Sequence, residues 1–100
     1  MGEIKPDINR TLRLPKGQWF EEVFPKKQIY IHHTVGGSAR STFSWWVQDP
    51  QRIGTAYIIE RDGMIYEVFP PEHWAHHLGK GTTEQHNKQS IGIELASEGA

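Results

Sequence analysis

Two short apolar runs set the terms on which this chain can fold. Residues 28–34 read Gln-Ile-Tyr-Ile-His-His-Thr, and residues 90–95 read Ser-Ile-Gly-Ile-Glu-Leu. Both are too short for buried helices. The first is rich in β-branched and aromatic side chains and is closed by Gly36 and Gly37, the pattern of a strand. It is apolar on both faces, which predicts a central position in a sheet covered on both sides. Alternation puts Ile29, Ile31 and His33 on one face, and Tyr30, His32 and Thr34 on the other. The expected fold class is therefore α/β, a mixed central β-sheet with flanking helices.

The other elements follow from local signals. Residues 38–48 have Ser38 or Ser41 as a cap and Phe43, Trp46 and Val47 at helical spacing, and Asp49-Pro50 ends the helix. Residues 55–61 and 64–69 read as strands joined at Asp62-Gly63, a strong hairpin signal, with Pro70-Pro71 as the stop. Residues 72–77 are expected to form a short helical turn, and residues 79–89 a polar loop. Residues 1–27 form a lead-in broken by Pro6, Pro15, Gly17 and Pro25, whose Trp19, Phe20, Val23 and Phe24 can dock on a core. The expected division is thus a lead-in over 1–27 and a domain portion over 28–100. Only one convincing helix is legible, and nothing follows the last strand to cover it. The sequence reads as a domain unfinished at its C-terminus.

Composition removes several function classes. One hundred residues allow a single domain with a modest core. Eleven basic and twelve acidic side chains give a net charge of −1, and no basic block appears, which argues against a nucleic-acid partner. The absence of cysteine excludes disulfides and thiolate metal sites. Residues 1–17 show no secretory signal, and no apolar run approaches the ~20 residues that span a bilayer, so no membrane partner is expected.

Histidine is the unusual count, with six in the chain. His32 sits at the end of a strand before a glycine turn, where it fits either a metal ligand at the sheet's edge or a hydrogen-bonded core histidine. His73 and His77 would share a helical face at i,i+4, a spacing usable by zinc, or would line a polar groove. The self-contained H-E-x-x-H pattern is absent. Glu94 is the one charge in an apolar strand, costly unless paired, metal-bound or used as a base of raised pKa. It fits equally the polar face of an edge strand. Gly79-Lys80-Gly81-Thr82 lacks the residues of a phosphate loop, and no nucleophile elbow occurs.

Taken together, residues 29–34, 54–63, 74–79 and 87–95 occur in the order of one known family. The chain resembles the type-2 N-acetylmuramoyl-L-alanine amidases, which include phage endolysins and peptidoglycan-recognition proteins. The resemblance implies a zinc-dependent peptidoglycan hydrolase that cleaves the amide between N-acetylmuramic acid and L-alanine. It implies an endolysin made in the host cytoplasm before lysis and acting on the bacterial cell wall. By the same resemblance, His32 matches the first zinc ligand and Glu94 the general base. His77 and Asn87 match positions lining the muropeptide groove, and Trp74 would flank the substrate beside His77. Thr55 falls where several members carry a Tyr, and Ala56 where a His is common, so a Tyr-assisted step is in doubt. The family's other two zinc ligands lie after the Ile-Gly-Ile-Glu strand and have no match here. The alternative is a non-catalytic peptidoglycan-binding module, or a fragment needing a C-terminal partner segment. A zinc site within the chain would require His73 or His77 to approach His32.

Overall fold

The computed structural model describes residues 7–34, 37–79 and 84–97. Among the described residues five strands form one mixed sheet: β1 (Ile8–Asn9), β2 (Gln28–His33), β3 (Tyr57–Ile59), β4 (Ile65–Glu67) and β5 (Ser90–Leu95). Their order across the sheet is β1-β4-β3-β5-β2. Only β3 and β4 run antiparallel, joined through the Asp62-Gly63 turn, where Gly63 adopts φ 93°. That positive φ is cheap for glycine and costly for other residues. The hairpin at Asp62-Gly63 and the mixed sheet agree with the sequence reading.

Helix α1 (Ala39–Gln48) begins as its sequence dictates. The Ser38 hydroxyl accepts from the Ser41 amide at 3.1 Å, and the Ser41 hydroxyl accepts from the Ser38 amide at 2.9 Å, closing a capping box. Glu60 adds a carboxylate oxygen 2.9 Å from the Ala39 amide, where the helix dipole favours negative charge. Ala39 and Trp46 of α1 join Leu12, Leu14, Trp19, Ala56, Ile58, Val68 and Phe69 in one buried cluster. Three of these belong to the lead-in, which also adds β1 to the sheet edge and a backbone bond from Leu14 to Val68. The lead-in thus builds the core as well as docking on it.

Three expectations need correction. The strand at residues 28–34 is not central but lies at one edge, with Ile29 64% and Ile31 60% exposed. An apolar strand need not be covered; here β5 lies on one side of it and no described strand on the other. Residues 72–77 do not form a helical turn. Trp74 instead pairs with Phe20, and His76 with Ile53, as isolated antiparallel and parallel bridges. Tertiary pairing thus satisfies the backbone groups that a helix would have satisfied locally. The third concerns residues 79–89, read as a loop, which contain the short helix α2 (Glu84–Lys88). Residues 80–83 lie outside the described residues.

Candidate active site

The parallel register of β2 and β5 sets His32 directly opposite Glu94, and Tyr30 opposite Gly92. Paired residues project to the same face, so His32 and Glu94 stand side by side on the face that also carries Ile58 and α1. The extended segment through His76 and His77 crosses above them. It is held by Phe20 to Trp74 backbone bonds of 2.7 and 3.4 Å and by Gly54 to His76 at 2.9 Å. Asn87, buried in α2, turns its carboxamide oxygen to the amides of His77 (2.9 Å) and Leu78 (3.1 Å). Lys26 donates to the carbonyls of His73 (2.7 Å) and Lys88 (2.8 Å), and burial lowers its pKa. This ammonium ties the lead-in to both segments that frame the site.

His77 is the residue these supports position. Its Nδ1 lies 2.9 Å from His32 Nε2, and its Nε2 lies 2.8 Å from the Ser90 hydroxyl. Burial is the main force holding His77 neutral, helped by the charges of His32, Lys26 and His76; together they push its pKa down to about 4. Burial lowers the pKa of His32 as well. A bond between two neutral imidazoles needs one N–H and one lone pair. Either His77 donates to His32 and accepts from Ser90, or the reverse. The close approach depends on Gly92: a Cβ there would stand 2.8 Å from Thr55 Cγ2 and 3.0 Å from His77 Nδ1. A glycine inside a strand signals such an approach. Ser90 and Gly92, both missed as site residues, were legible only in that glycine.

Glu94 is half-buried and makes no hydrogen bond or ion pair among the described residues, and burial raises its pKa. A partly desolvated carboxylate without a partner, its pKa raised, is suited to exchanging protons. Beside this group, on the far side of His77, opens a cleft of about 720 Å³ lined by Gln51, Ile53, His76, His77, Leu78 and Gly79.

Of the residues singled out in the sequence, His32, His77 and Glu94 come together. Asn87, Thr55 and Trp74 are buried. Trp74, expected to flank a ligand, is covered by the Phe20 ring at 4.1 Å with its indole N–H on Glu22. None of Trp74, Thr55 and Asn87 is among the residues that line the cleft described above. His73 does not approach His32; it stacks on Trp19 at 4.9 Å.

The fit to zinc is partial. Zinc–nitrogen bonds of about 2.0–2.1 Å in a tetrahedral site set two ligand nitrogens roughly 3.3 Å apart. The His32–His77 separation of 2.9 Å is close to that. A catalytic zinc takes three protein ligands, however, and no group of three His, Cys, Asp or Glu among the described residues could hold a metal. The described residues therefore do not make up a zinc site by themselves.

The N-acetylmuramoyl-L-alanine amidase family model matches residues 23–100, and the chain belongs to that family. Among curated proteins no sequence matches significantly. Several solved structures share the fold, among them the three that follow. The structure of PlyL matches with a TM-score of 0.73 at 20% identity, covering 91% of this chain and 58% of its own. A mutant endolysin from Bacillus subtilis gives 0.73 at 24%, covering 96% and 64%. The catalytic domain of XlyA gives 0.70 at 24%, covering 94% and 63%. The chain thus spans 58–64% of the length of these neighbours.

Proposed function

We propose that this chain carries the substrate cleft and proton-transfer carboxylate of a peptidoglycan amidase that cleaves the bond between N-acetylmuramic acid and L-alanine. The observation that carries this reading is the pairing of a partnerless, desolvated Glu94 with His32 across β5 and β2. Family membership supplies the substrate class. In this reading Glu94 takes a proton from the attacking water and returns it to the leaving alanine nitrogen. His77 holds the His32 ring in place through Nδ1 and is itself fixed by Ser90 and Asn87. His32 is one zinc ligand of the whole domain, and the two others would come from a segment outside the described residues. The action is at the bacterial cell wall, as for an endolysin; no described helix is long and apolar enough to cross a membrane.

A second reading, a module that binds peptidoglycan without cutting it, is favoured by the lack of three metal-holding side chains among the described residues. One experiment separates the two. The complete domain, this chain together with the segment that supplies the two further zinc ligands, is incubated with purified peptidoglycan and zinc; bound protein and newly freed L-alanyl amino groups are both measured. The amidase reading expects release by the wild type, at least about a hundredfold less release by Glu94→Gln, and binding by both. Binding without release by the wild type would favour the module. Neither binding nor release would sink both readings.

A further inference from the structure

The outward face of α1 carries an arrangement that the amidase site does not use. Of the four tryptophans, Trp19, Trp46 and Trp74 are buried, whereas Trp45 is 76% exposed. Phe43, Trp46 and Val47 already supply the inward stripe of this helix, so Trp45 is not needed for the core. At helical spacing around it stand Ser41, Ser44 and Gln48, which line a shallow depression with the indole. A second depression, lined by Trp45, Gln48, Asp49, Pro50 and Gln51, adjoins the first. Gln51 is shared with the main cleft, which continues to His76 and His77. A run of shared lining residues therefore links the His77 cleft, through Gln51, to the Trp45 indole, and forms one track.

We propose that this track is a glycan subsite, in which Trp45 stacks on an N-acetylated sugar of the peptidoglycan strand, next to the sugar whose lactyl amide lies in the cleft. The chemistry of the lining selects this ligand. A broad, rigid indole face suits the C–H face of a pyranose ring, giving apolar contact at low entropic cost. The hydroxyls and carboxamides of Ser41, Ser44, Gln48 and Gln51 suit sugar hydroxyls and acetamido groups. The α1 face around Trp45 carries no basic side chain among those lining it, so it offers nothing to the carboxylates of a stem peptide. Its connection to the cleft fixes the occupant as the polymer that the cleft would handle. The inference rests on the peptidoglycan reading above and adds which part of the polymer lies where.

The test uses the 100-residue chain, purified peptidoglycan, and a peptide-free oligosaccharide of alternating N-acetylglucosamine and N-acetylmuramic acid. Because Trp45 is the exposed indole, acrylamide quenching of tryptophan fluorescence reports mainly on it. The oligosaccharide should protect the quenchable fraction. Trp45→Ala should weaken oligosaccharide binding about 3- to 10-fold, the range expected for losing one aromatic stack, and Trp45→Tyr should restore most of it. Unchanged far-ultraviolet circular dichroism checks that each variant is folded. If the wild type binds peptidoglycan but its quenching and the Trp45→Ala affinity are unaltered by the sugar, the glycan subsite is overturned while the amidase reading stands. If the wild type does not bind peptidoglycan at all, that reading fails, and this inference with it.

Discussion

The two halves of the sheet solve opposite problems. Around β3 and β4 every buried demand is met. Ile58 and Val68 are fully enclosed, and the carboxylate of Glu67 receives Arg10 at 3.0 Å and Arg13 at 2.9 Å. Around β2 and β5, Ile29 and Ile31 stand exposed, and Glu94 has no partner among the described residues. Two carboxylates in one sheet thus have opposite surroundings. For Glu67, burial is the largest single influence and opposes ionisation, but the hydrogen bonds and charges of Arg10 and Arg13 together outweigh it, so its pKa is lowered. For Glu94 burial acts alone and the pKa is raised. The contrast separates a carboxylate tied to the lead-in from one on which burial acts alone, as the proposed proton-transfer role of Glu94 requires.

The comparison can be broken by matched changes. The largest effect on stability should come from Ile58→Ala, which opens a cavity in the enclosed half and should cost about 2–5 kcal/mol in denaturant melts. The same deletion at Ile31 should cost under about 0.5 kcal/mol; comparable losses at both positions would show that the β2 edge is packed after all. Gly92→Ala lies between them. Its Cβ must displace Thr55 or His77, at a cost of roughly 1–3 kcal/mol, and the His32–His77 contact should be lost. Loss of the Nδ1 signature of that pair in imidazole nitrogen spectra is the check.

A smaller effect is expected in acid. Because the folded pKa of Glu67 lies below its unfolded value, its contribution is fully present above the unfolded pKa of about 4.5 and disappears as pH falls through the folded one. With Arg10 and Arg13 both partly open to solvent, the contribution is on the order of 1 kcal/mol. Glu67→Gln should remove that part of the acid sensitivity. A variant as acid-sensitive as the wild type would show that the Arg10–Glu67–Arg13 group does not anchor the lead-in.

Much of this molecule was legible in its residues, for identifiable reasons. The α1 cap, the Asp62-Gly63 turn and the β5 strand are set by short-range chemistry at Ser38, Ser41, Gly63 and the apolar alternation of residues 90–95. His32 and Glu94 stood out because a polar group in an apolar strand calls for an explanation. The edge position of β2 was not legible, since Ile29 and Ile31 look the same whether or not something covers them. The segment around His76 was misread because His73 and His77 have helical spacing, while its backbone partners, Phe20 and Ile53, lie over twenty residues away in the chain.

The most direct test of the account is a nuclear magnetic resonance titration of the chain with a soluble N-acetylmuramoyl peptide. The account predicts that backbone shifts move at His32, His77, Leu78, Gly92 and Glu94 while Ile58, Val68 and Glu67 stay still. Shifts centred on the β1–β4 half, or none at ligand concentrations that saturate related clefts, would contradict the assignment of this cleft as the site where peptidoglycan is held.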